Sequence, residues 1–377
     1  MPDSRRLAML DGYRALAIFL VIGYHYFVRW TPPEAPENLY PYGGLGAHVW
    51  PFRYGYLGVE LFFMVSGFVI SMTLFRSRNV LHFAQKRFAR LFPSMLLCSV
   101  LTFAVLWALP QQAFHPRLRD FAPSLTFTDP VFWSRLFGRD FAGVDGSYWS
   151  LFVEAKFYFW ICLLYFSIDS RHFFNAAAML LAALTLATAG AHLLHLPHPD
   201  LPDTLFAISS LPWFAAGIGF YALYANRGSR TGWWLLAASA LSLSAITFGQ
   251  SRHPAVPLLA MAVFDGLFLL MLYRPGWLSW LASRPVAAVG VASYSLYLLH
   301  QDIGVAVLSV SRTVLNAGAA LPSTAIAAGV ALALTVASLV IYRYWEVPAR
   351  ALLLRRPWDD AKRTAPGGAS GDSARSD

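Results

Sequence analysis

Long apolar stretches alternate with short polar connectors along almost the whole chain. The stretches are about 17–25 residues long, the length that an α-helix needs to cross roughly 30 Å of hydrocarbon. Because that layer holds no water to satisfy backbone groups, segments that cross it must be helical. The pattern predicts an all-α, polytopic integral membrane protein with about ten transmembrane helices. They are expected near residues 11–29, 56–75, 94–110, 148–168, 173–194, 204–224, 232–249, 255–273, 286–310 and 323–345.

Two segments depart from this pattern. Residues 80–93 alternate leucine and phenylalanine with basic residues at helical spacing, which predicts an amphipathic helix on the membrane surface. Its basic face suits either anionic lipid headgroups or a phosphorylated ligand. Residues 361–377 are polar and rich in glycine, serine and alanine, as disordered segments are. We therefore predict one membrane domain over residues 1–360 and a disordered cytoplasmic tail over 361–377.

Composition and charge support a membrane protein. The chain is 57% hydrophobic and 13% charged, whereas soluble proteins are typically about 25% charged. The net charge of +9 would suggest nucleic acid in a soluble protein. Here the basic residues concentrate in alternate connectors, so the charge indicates topology and not nucleic-acid binding. The same asymmetry predicts that both termini are cytoplasmic, and the first span is expected to be retained and not cleaved as a signal peptide.

The first predicted span carries two ionisable residues on one face. Arg14 and His25 are eleven residues apart, close to three helical turns, and about 16 Å apart along the axis. An arginine near the cytoplasmic end and a histidine deeper in the same groove suit a long donor with an anionic head. The alternative is that Arg14 reaches the lipid headgroups while His25 is hydrogen-bonded at the outer interface.

The second predicted span contains Glu60 between apolar neighbours. A carboxylate within a membrane is costly unless it is paired, so such residues are candidates for function. If the first two spans are antiparallel neighbours, Glu60 and His25 both lie toward the outer half of the membrane. We expect a carboxylate–imidazole pair, which fixes the tautomer of the ring.

The fourth predicted span contains Glu154 and Lys156 in an apolar context. Residues two apart do not face each other on a helix, which predicts that each has a partner on another span. They form either a structural ion pair with other spans or the polar wall of a substrate cavity. Ser147, Tyr148, Trp149 and Ser150 mark the outer mouth of this span, where the aromatic rings are placed to stack on a sugar.

The ninth predicted span carries a stripe of hydrogen-bonding groups. Tyr294, Tyr297 and His300 repeat at intervals of three residues, so they follow one side of a helix.

Several catalytic motifs are missing from the sequence. It contains no GxSxG elbow, phosphate-binding GxxxxGK[ST] loop, HExxH or CxxC motif. Cys98 and Cys162 have no metal-ligand spacing. Hydrolase, ATPase and zinc-enzyme interpretations are therefore unsupported, and we predict no metal site.

Taken together, these segments resemble the membrane acyltransferase-3 family, the bacterial O-acyltransferases of polysaccharides and related glycans. The resemblance covers about residues 8–356, and its specificity lies in the order and spacing of several blocks. The blocks are LDGYRALAIFLVIGYHY at 10–26, GYLGVELFFMVSGFVI at 55–70, KRFARLFP at 86–93, SYWSLFVEAKFYFW at 147–160, SYSLYLLH at 293–300 and YRYWEVPAR at 342–350.

The resemblance implies an acyl-CoA donor that enters from the cytoplasm and an acceptor that is reached from the outer side. It implies donor binding for Arg14, catalysis for His25, and a match of Glu60 to an acidic family position. Lys86 stands where the family usually has arginine, which removes bidentate phosphate contact there. The predicted catalytic residues are His25 and Glu60, the acyl-CoA-binding residues are Arg14, Lys86, Arg87 and Arg90, and the substrate-binding residues are Ser150, Glu154, Lys156, Tyr158, Tyr297 and His300.

These observations predict a multi-pass enzyme of the bacterial inner membrane that moves an acyl group, acetyl by family habit, from acetyl-CoA to a sugar hydroxyl. The acceptor is an exopolysaccharide, its lipid-linked repeat unit or another surface glycan, with a macrolide sugar as an alternative. Charged residues within helices also occur in secondary transporters, and a non-catalytic membrane scaffold or sensor is a third interpretation. The sequence shows no repeated halves, which transporters often have. The sequence leaves open whether the acyl group is transferred directly or through an acyl-histidine intermediate.

Overall fold

The computed structural model describes residues 4–31, 39, 48–111, 113–194, 201–250, 254–315 and 320–354. These residues are mostly helical and contain no β-strand. The α-helices among them are α1 (Ser4–Tyr24), α2 (Trp50–Arg53), α3 (Gly58–Leu74), α4 (Val80–Ala108), α5 (Phe121–Thr126), α6 (Pro130–Phe137), α7 (Trp149–Ser167), α8 (Phe173–Leu193), α9 (Leu201–Phe206), α10 (Leu211–Ala225), α11 (Arg230–Gln250), α12 (Ala255–Tyr273), α13 (Arg284–His300), α14 (Asp302–Leu315), α15 (Ala320–Ile341) and α16 (Val347–Leu354).

Within the described ranges, eight helical segments are long and apolar enough to cross a membrane. The predicted class, an all-α polytopic membrane protein, is therefore confirmed, while the number of about ten spans stays a prediction. The eight segments are Arg6–Arg29, Gly55–Leu74, Val80–Ala108, Gly146–Ser167, Phe173–Ala191, Arg230–Phe248, Ala255–Tyr273 and Thr324–Leu354, and shorter apolar helices lie at Leu211–Ala225 and Asp302–Ser311.

Three predicted boundaries are wrong. The expected span over 204–224 contains a break, because α9 ends at Phe206 and α10 begins at Leu211. The expected surface helix over 80–93 and the expected span over 94–110 are one continuous helix, α4, with Pro93 inside it. The expected span over 286–310 is two helices, because α13 ends at His300 and α14 begins at Asp302. The predicted tail over 361–377 lies outside the described residues, so its disorder stays a prediction.

Close backbone contacts set the positions of the helices around the site. A Cβ atom at Gly290 of α13 would collide with the backbone of Asp11 in α1, so the lack of a side chain lets these helices approach. In the same way, a Cβ at Gly58 of α3 would collide with the carbonyl oxygen of Ala17 in α1. Small residues at crossings are how membrane helices come close together. These two contacts place α1 between α3 and α13.

Candidate active site

Two histidines from helices distant in sequence meet in the interior. His300 Nε2 lies 3.0 Å from His25 Nδ1, and the ring centroids are 4.9 Å apart. His300 Nδ1 lies 2.7 Å from the carbonyl oxygen of Tyr297. His25 Nδ1 also lies 3.1 Å from the carbonyl oxygen of Val21. Each ring nitrogen named here therefore has a defined neighbour.

The carbonyl of Tyr297 determines the tautomers of this pair. A carbonyl oxygen only accepts, so His300 Nδ1 must donate to it, and the Nε2 of a neutral His300 is then an acceptor. His25 Nδ1 consequently donates toward His300 Nε2 and Val21. In a neutral ring this leaves the lone pair on His25 Nε2. The arrangement presents His25 Nε2 as a proton acceptor.

Local helix geometry brings the histidines together. The last turn of the first span, His25–Arg29, widens into π-helical geometry, a feature that is frequent at functional sites. Next to it, the Tyr26 hydroxyl donates to the carbonyl oxygen of His300 at 3.0 Å. Gly304 gives the Tyr26 ring its space, since a Cβ there would collide with the ring. Tyr26 thus joins the end of the first span to the α13–α14 junction.

The predicted pair between His25 and Glu60 is not among the hydrogen bonds of the described residues. The expected proximity of the two helices is present, but His300 occupies the position beside His25 Nδ1. Glu60 Oε2 is buried and has no hydrogen-bond partner in the described part of the chain. An unpaired carboxylate oxygen inside a membrane protein is a costly feature, so Glu60 stays a candidate for function without the predicted orienting contact.

A cavity between α1, α3, α4, α7 and α13, here called the arginine cavity, contains most of the predicted ligand-binding residues. It has a volume of about 720 Å³ including its open mouth. It is also lined by Ser66 and Tyr294, which were not among the predicted site residues. The predicted residues that line it are Arg14, Arg87, Arg90, Ser150, Glu154, Tyr158 and Tyr297.

The three arginines of this cavity differ in their partners. Arg14 forms an ion pair with Asp11 at 2.6 Å, and Arg90 forms one with Glu346. Arg87 donates to the Thr73 hydroxyl, its Nε is buried without a partner, and no ion-pair partner is found for it among the described residues. Arg87 is therefore the arginine of this cavity whose charge is not paired with a carboxylate among the described residues.

Glu346 is a site residue that the prediction did not include. It is 1% exposed and accepts from Arg90 and, at 3.0 and 3.2 Å, from the hydroxyls of Ser94 and Ser295. It lies in a second π-helical turn, Tyr342–Glu346. This carboxylate fixes Arg90 at the cavity wall. Charge within an apolar span was the available signal for it, but its partner is 256 positions away in the sequence.

Lys86 and Lys156 do not line the arginine cavity. Lys86 Nζ donates to the carbonyl oxygen of Arg76 at 2.9 Å. Lys156 forms an ion pair with Asp129 at 3.4 Å on the other side of α7. The predicted partner on another span is found for Glu154, which accepts from the Ser66 hydroxyl of α3. The prediction is wrong for Lys156, because Asp129 lies in the connector before α6.

Tyr297 connects the arginine cavity to the histidines. Tyr297 lines the cavity, and its hydroxyl accepts from Ser150 at 2.8 Å and donates to the carbonyl oxygen of Ser147 at 3.0 Å. Its ring centroid is 5.2 Å from that of His300. The cavity and the histidine pair are therefore consecutive parts of one polar track along α13.

Comparison with known proteins identifies the family. The acyltransferase-3 family model, described as an acyltransferase domain, matches residues 7–343. The chain belongs to this family. An O-acetyl transferase of Shigella phage Sf6 is 27% identical to it over 222 residues, which are 56% of this chain and 59% of the relative.

Two further relatives carry similar names. The O-acetyltransferase OatA of Staphylococcus aureus (strain NCTC 8325) is 31% identical over 115 residues, 28% of this chain and 16% of OatA. A putative acetyltransferase, ORF330, of Acidianus two-tailed virus is 27% identical over 229 residues, 59% of this chain and 58% of the relative. This acyltransferase-3 member thus spans less than two thirds of the length of each of these relatives. No solved structure matches the chain.

Proposed function

We propose that the protein is a membrane O-acetyltransferase that transfers an acetyl group from acetyl-CoA to a hydroxyl of a surface glycan or its lipid-linked repeat unit. The observation that carries the proposal is the polar track in which an arginine cavity leads to His25. Membership of the acyltransferase-3 family and relatives named O-acetyltransferases support it. In this proposal the protein resides in the bacterial inner membrane with both termini in the cytoplasm.

The arginine cavity is the proposed site for the phosphates of the donor. Arg87 is placed to bind phosphate, because its Nε has no hydrogen-bond partner among the described residues and a guanidinium donates well to phosphate oxygens. Arg14 and Arg90 add positive charge at the same wall. The basic connectors lie at this end of α3 and α4, which is the cytoplasmic end under the predicted topology. The acyl arm of the donor then points along Tyr297 toward the histidines.

His25 is the proposed general base. A sugar hydroxyl is a weak nucleophile and needs a base positioned within hydrogen-bond reach. His25 Nε2 takes the hydroxyl proton as the oxygen forms its bond to the thioester carbonyl carbon. The carbon–sulfur bond then breaks, and the thiolate takes up the proton to leave as the CoA thiol. His300 positions the ring by accepting from His25 Nδ1.

Surface glycans of a deletion strain test the proposal. Complementation with the wild type should restore a mass increment of one acetyl group in the glycan, measured by mass spectrometry. Complementation with His25→Ala at equal protein level should not restore this mass increment. His172→Ala, at an exposed histidine in a connector, is the matched control and should restore the increment. Identical glycans in all strains would remove the support for a glycan acceptor.

A further inference from the structure

Helix α7 separates two cavities of different character. Ser150, Glu154 and Tyr158 face the arginine cavity. Trp149, Val153 and Lys156 line a second cavity on the opposite side, which has a volume of about 1080 Å³ including its open mouth. Each set repeats at intervals of three or four residues, as expected for two faces of one helix. The second cavity, here called the aspartate cavity, is closed by the connector before α7 and by the α9–α10 region.

The two cavities have opposite charge. The arginine cavity is lined by three arginines and one glutamate. The aspartate cavity is lined by one lysine and three aspartates, namely Asp129, Asp145 and Asp203. A polyanion such as coenzyme A is attracted to the first and repelled by the second. The aspartate cavity therefore disfavours a polyanionic ligand, and its polar lining is compatible with a neutral polar one.

The side chains of the aspartate cavity match a hydroxyl-rich ring. Trp149 is 49% exposed, so its indole offers a flat apolar surface. Around it, carboxylates accept hydrogen bonds, Lys156 donates them, and Ser210 does both. The Lys156–Asp129 ion pair spans 3.4 Å and is partly accessible. A sugar needs this combination, since it has an apolar ring face and hydroxyls that both donate and accept.

Hydrogen bonds connect the walls of the aspartate cavity to the α13–α14 region that carries His300. Asp145, one of its lining residues, is 1% exposed, and its Oδ2 accepts from the backbone N–H of Asp302 at 3.0 Å. Asp302 follows His300 by two positions. Gly146, another lining residue, immediately precedes Ser147, whose carbonyl oxygen accepts from Tyr297. The turn that begins α7 is thus shared by the aspartate cavity and by the polar track of the arginine cavity.

We propose that the aspartate cavity is the acceptor site and that it binds a neutral sugar residue of the glycan with its ring against Trp149. The inference rests on the proposed function and adds where the acceptor binds and which class it belongs to. Donor and acceptor then approach the first turn of α7 from opposite sides. The sugar hydroxyl transfers its proton to His25 and receives the acetyl group, and the CoA thiol leaves through the arginine cavity.

Saturation experiments on purified protein in proteoliposomes test this site. The acceptor probe is a polar glycolipid extract from a deletion strain, and the donor is acetyl-CoA. Trp149→Ala should raise the amount of extract needed for half-maximal transfer about tenfold, an effect of the size expected for losing one stacking contact. The half-saturating amount for Trp149→Phe should lie between those of the wild type and Trp149→Ala. Lys156→Met should also raise this amount. The affinity for acetyl-CoA, measured by calorimetry, should stay within about twofold.

Phe159→Ala is the matched control, because Phe159 lies on α7, is 62% exposed and lines neither cavity. This substitution should change neither the half-saturating amount of extract nor the affinity for acetyl-CoA. Unchanged half-saturation in Trp149→Ala and Lys156→Met, with active wild type, would overturn the acceptor site. Loss of acetyl-CoA binding in Trp149→Ala would overturn it as well, because the two sites would then not be separate. A wild type that neither binds acetyl-CoA nor transfers the group would instead contradict the proposed function.

Discussion

His300 Nε2 lies 3.0 Å from His25 Nδ1, and His300 Nδ1 lies 2.7 Å from the carbonyl oxygen of Tyr297. This chain of three groups runs from a backbone acceptor through two rings, and it leaves His25 Nε2 unprotonated when both rings are neutral. The backbone of α13 thereby controls the protonation pattern of a side chain on the first span. The prediction from sequence gave this orienting role to Glu60.

His300→Phe should lower kcat about 10- to 100-fold, part of the contribution that a positioned base makes. An aromatic ring is kept, but the acceptor for His25 Nδ1 is lost. The KM for acetyl-CoA should not change, because His300 does not line the arginine cavity. His300→Gln, which keeps an acceptor oxygen, should recover part of kcat. An equal loss of kcat in both variants would assign His300 a packing role alone.

Much of the site follows from helical periodicity. The spacing of Arg14 and His25 predicted one track along α1, and the two-residue spacing of Glu154 and Lys156 predicted partners on other spans. The structure confirms the second point for Glu154 but not for Lys156, and it places the two residues in different cavities. Charge in an apolar stretch is a strong signal because an unpaired charge in a membrane is costly. The sequence therefore indicates which positions are candidates for function or for a paired charge.

The partners of those positions could not be predicted. His25 and His300 are 275 positions apart, and their contact depends on Gly290 letting α13 lie against α1. Periodicity describes the faces of single helices and contains no information on which helices are neighbours. For the same reason, the continuous α4 was predicted as two elements: the change from amphipathic to fully apolar sequence at Pro93 is typical of a helix boundary.

Arg87→Ala should weaken acetyl-CoA binding at least about tenfold, because a charge-assisted contact to phosphate is lost. Lys86→Ala is the matched control, since Lys86 is the adjacent residue and points away to the carbonyl oxygen of Arg76. It should change the affinity by less than about threefold. Calorimetry with acetyl-CoA measures both. Equal effects of the two substitutions would remove Arg87 from the donor site.

Glu346→Gln should destabilise the protein by about 3 kcal/mol, because a buried charged partner is removed from Arg90. It should also weaken acetyl-CoA binding, since Glu346 holds Arg90 at the cavity wall. The double variant Arg90→Met, Glu346→Leu should recover the melting temperature but not the affinity. Recovery of both by the double variant would mean that Arg90 does not contribute to donor binding.

Asp145 predicts a pH dependence of stability. Burial raises the pKa of Asp145 from 3.8 to about 6, although hydrogen bonds from Ser147 and Asp302 oppose the shift. The folded state thus holds this proton more tightly than the unfolded state. The resulting stabilisation is complete below the unfolded pKa and is lost as the pH rises through about 6.

The melting temperature of the wild type should therefore fall between about pH 4 and pH 7, and that of Asp145→Asn should fall less, because asparagine does not titrate in this range. The comparison uses the change with pH within each variant, which is independent of their difference in absolute stability. The same pH dependence in both proteins would show that Asp145 does not titrate there.

The central claim is that His25 is the base of an acetyl transfer, and CoA release tests it most directly. Purified wild type in proteoliposomes, supplied with acetyl-CoA and the glycolipid extract, should release CoA thiol in equal amount to the acetyl group that appears in the glycan. His25→Ala should bind acetyl-CoA as the wild type does but release CoA about 10²- to 10⁴-fold more slowly. Wild-type rates of release and transfer in His25→Ala would contradict the account.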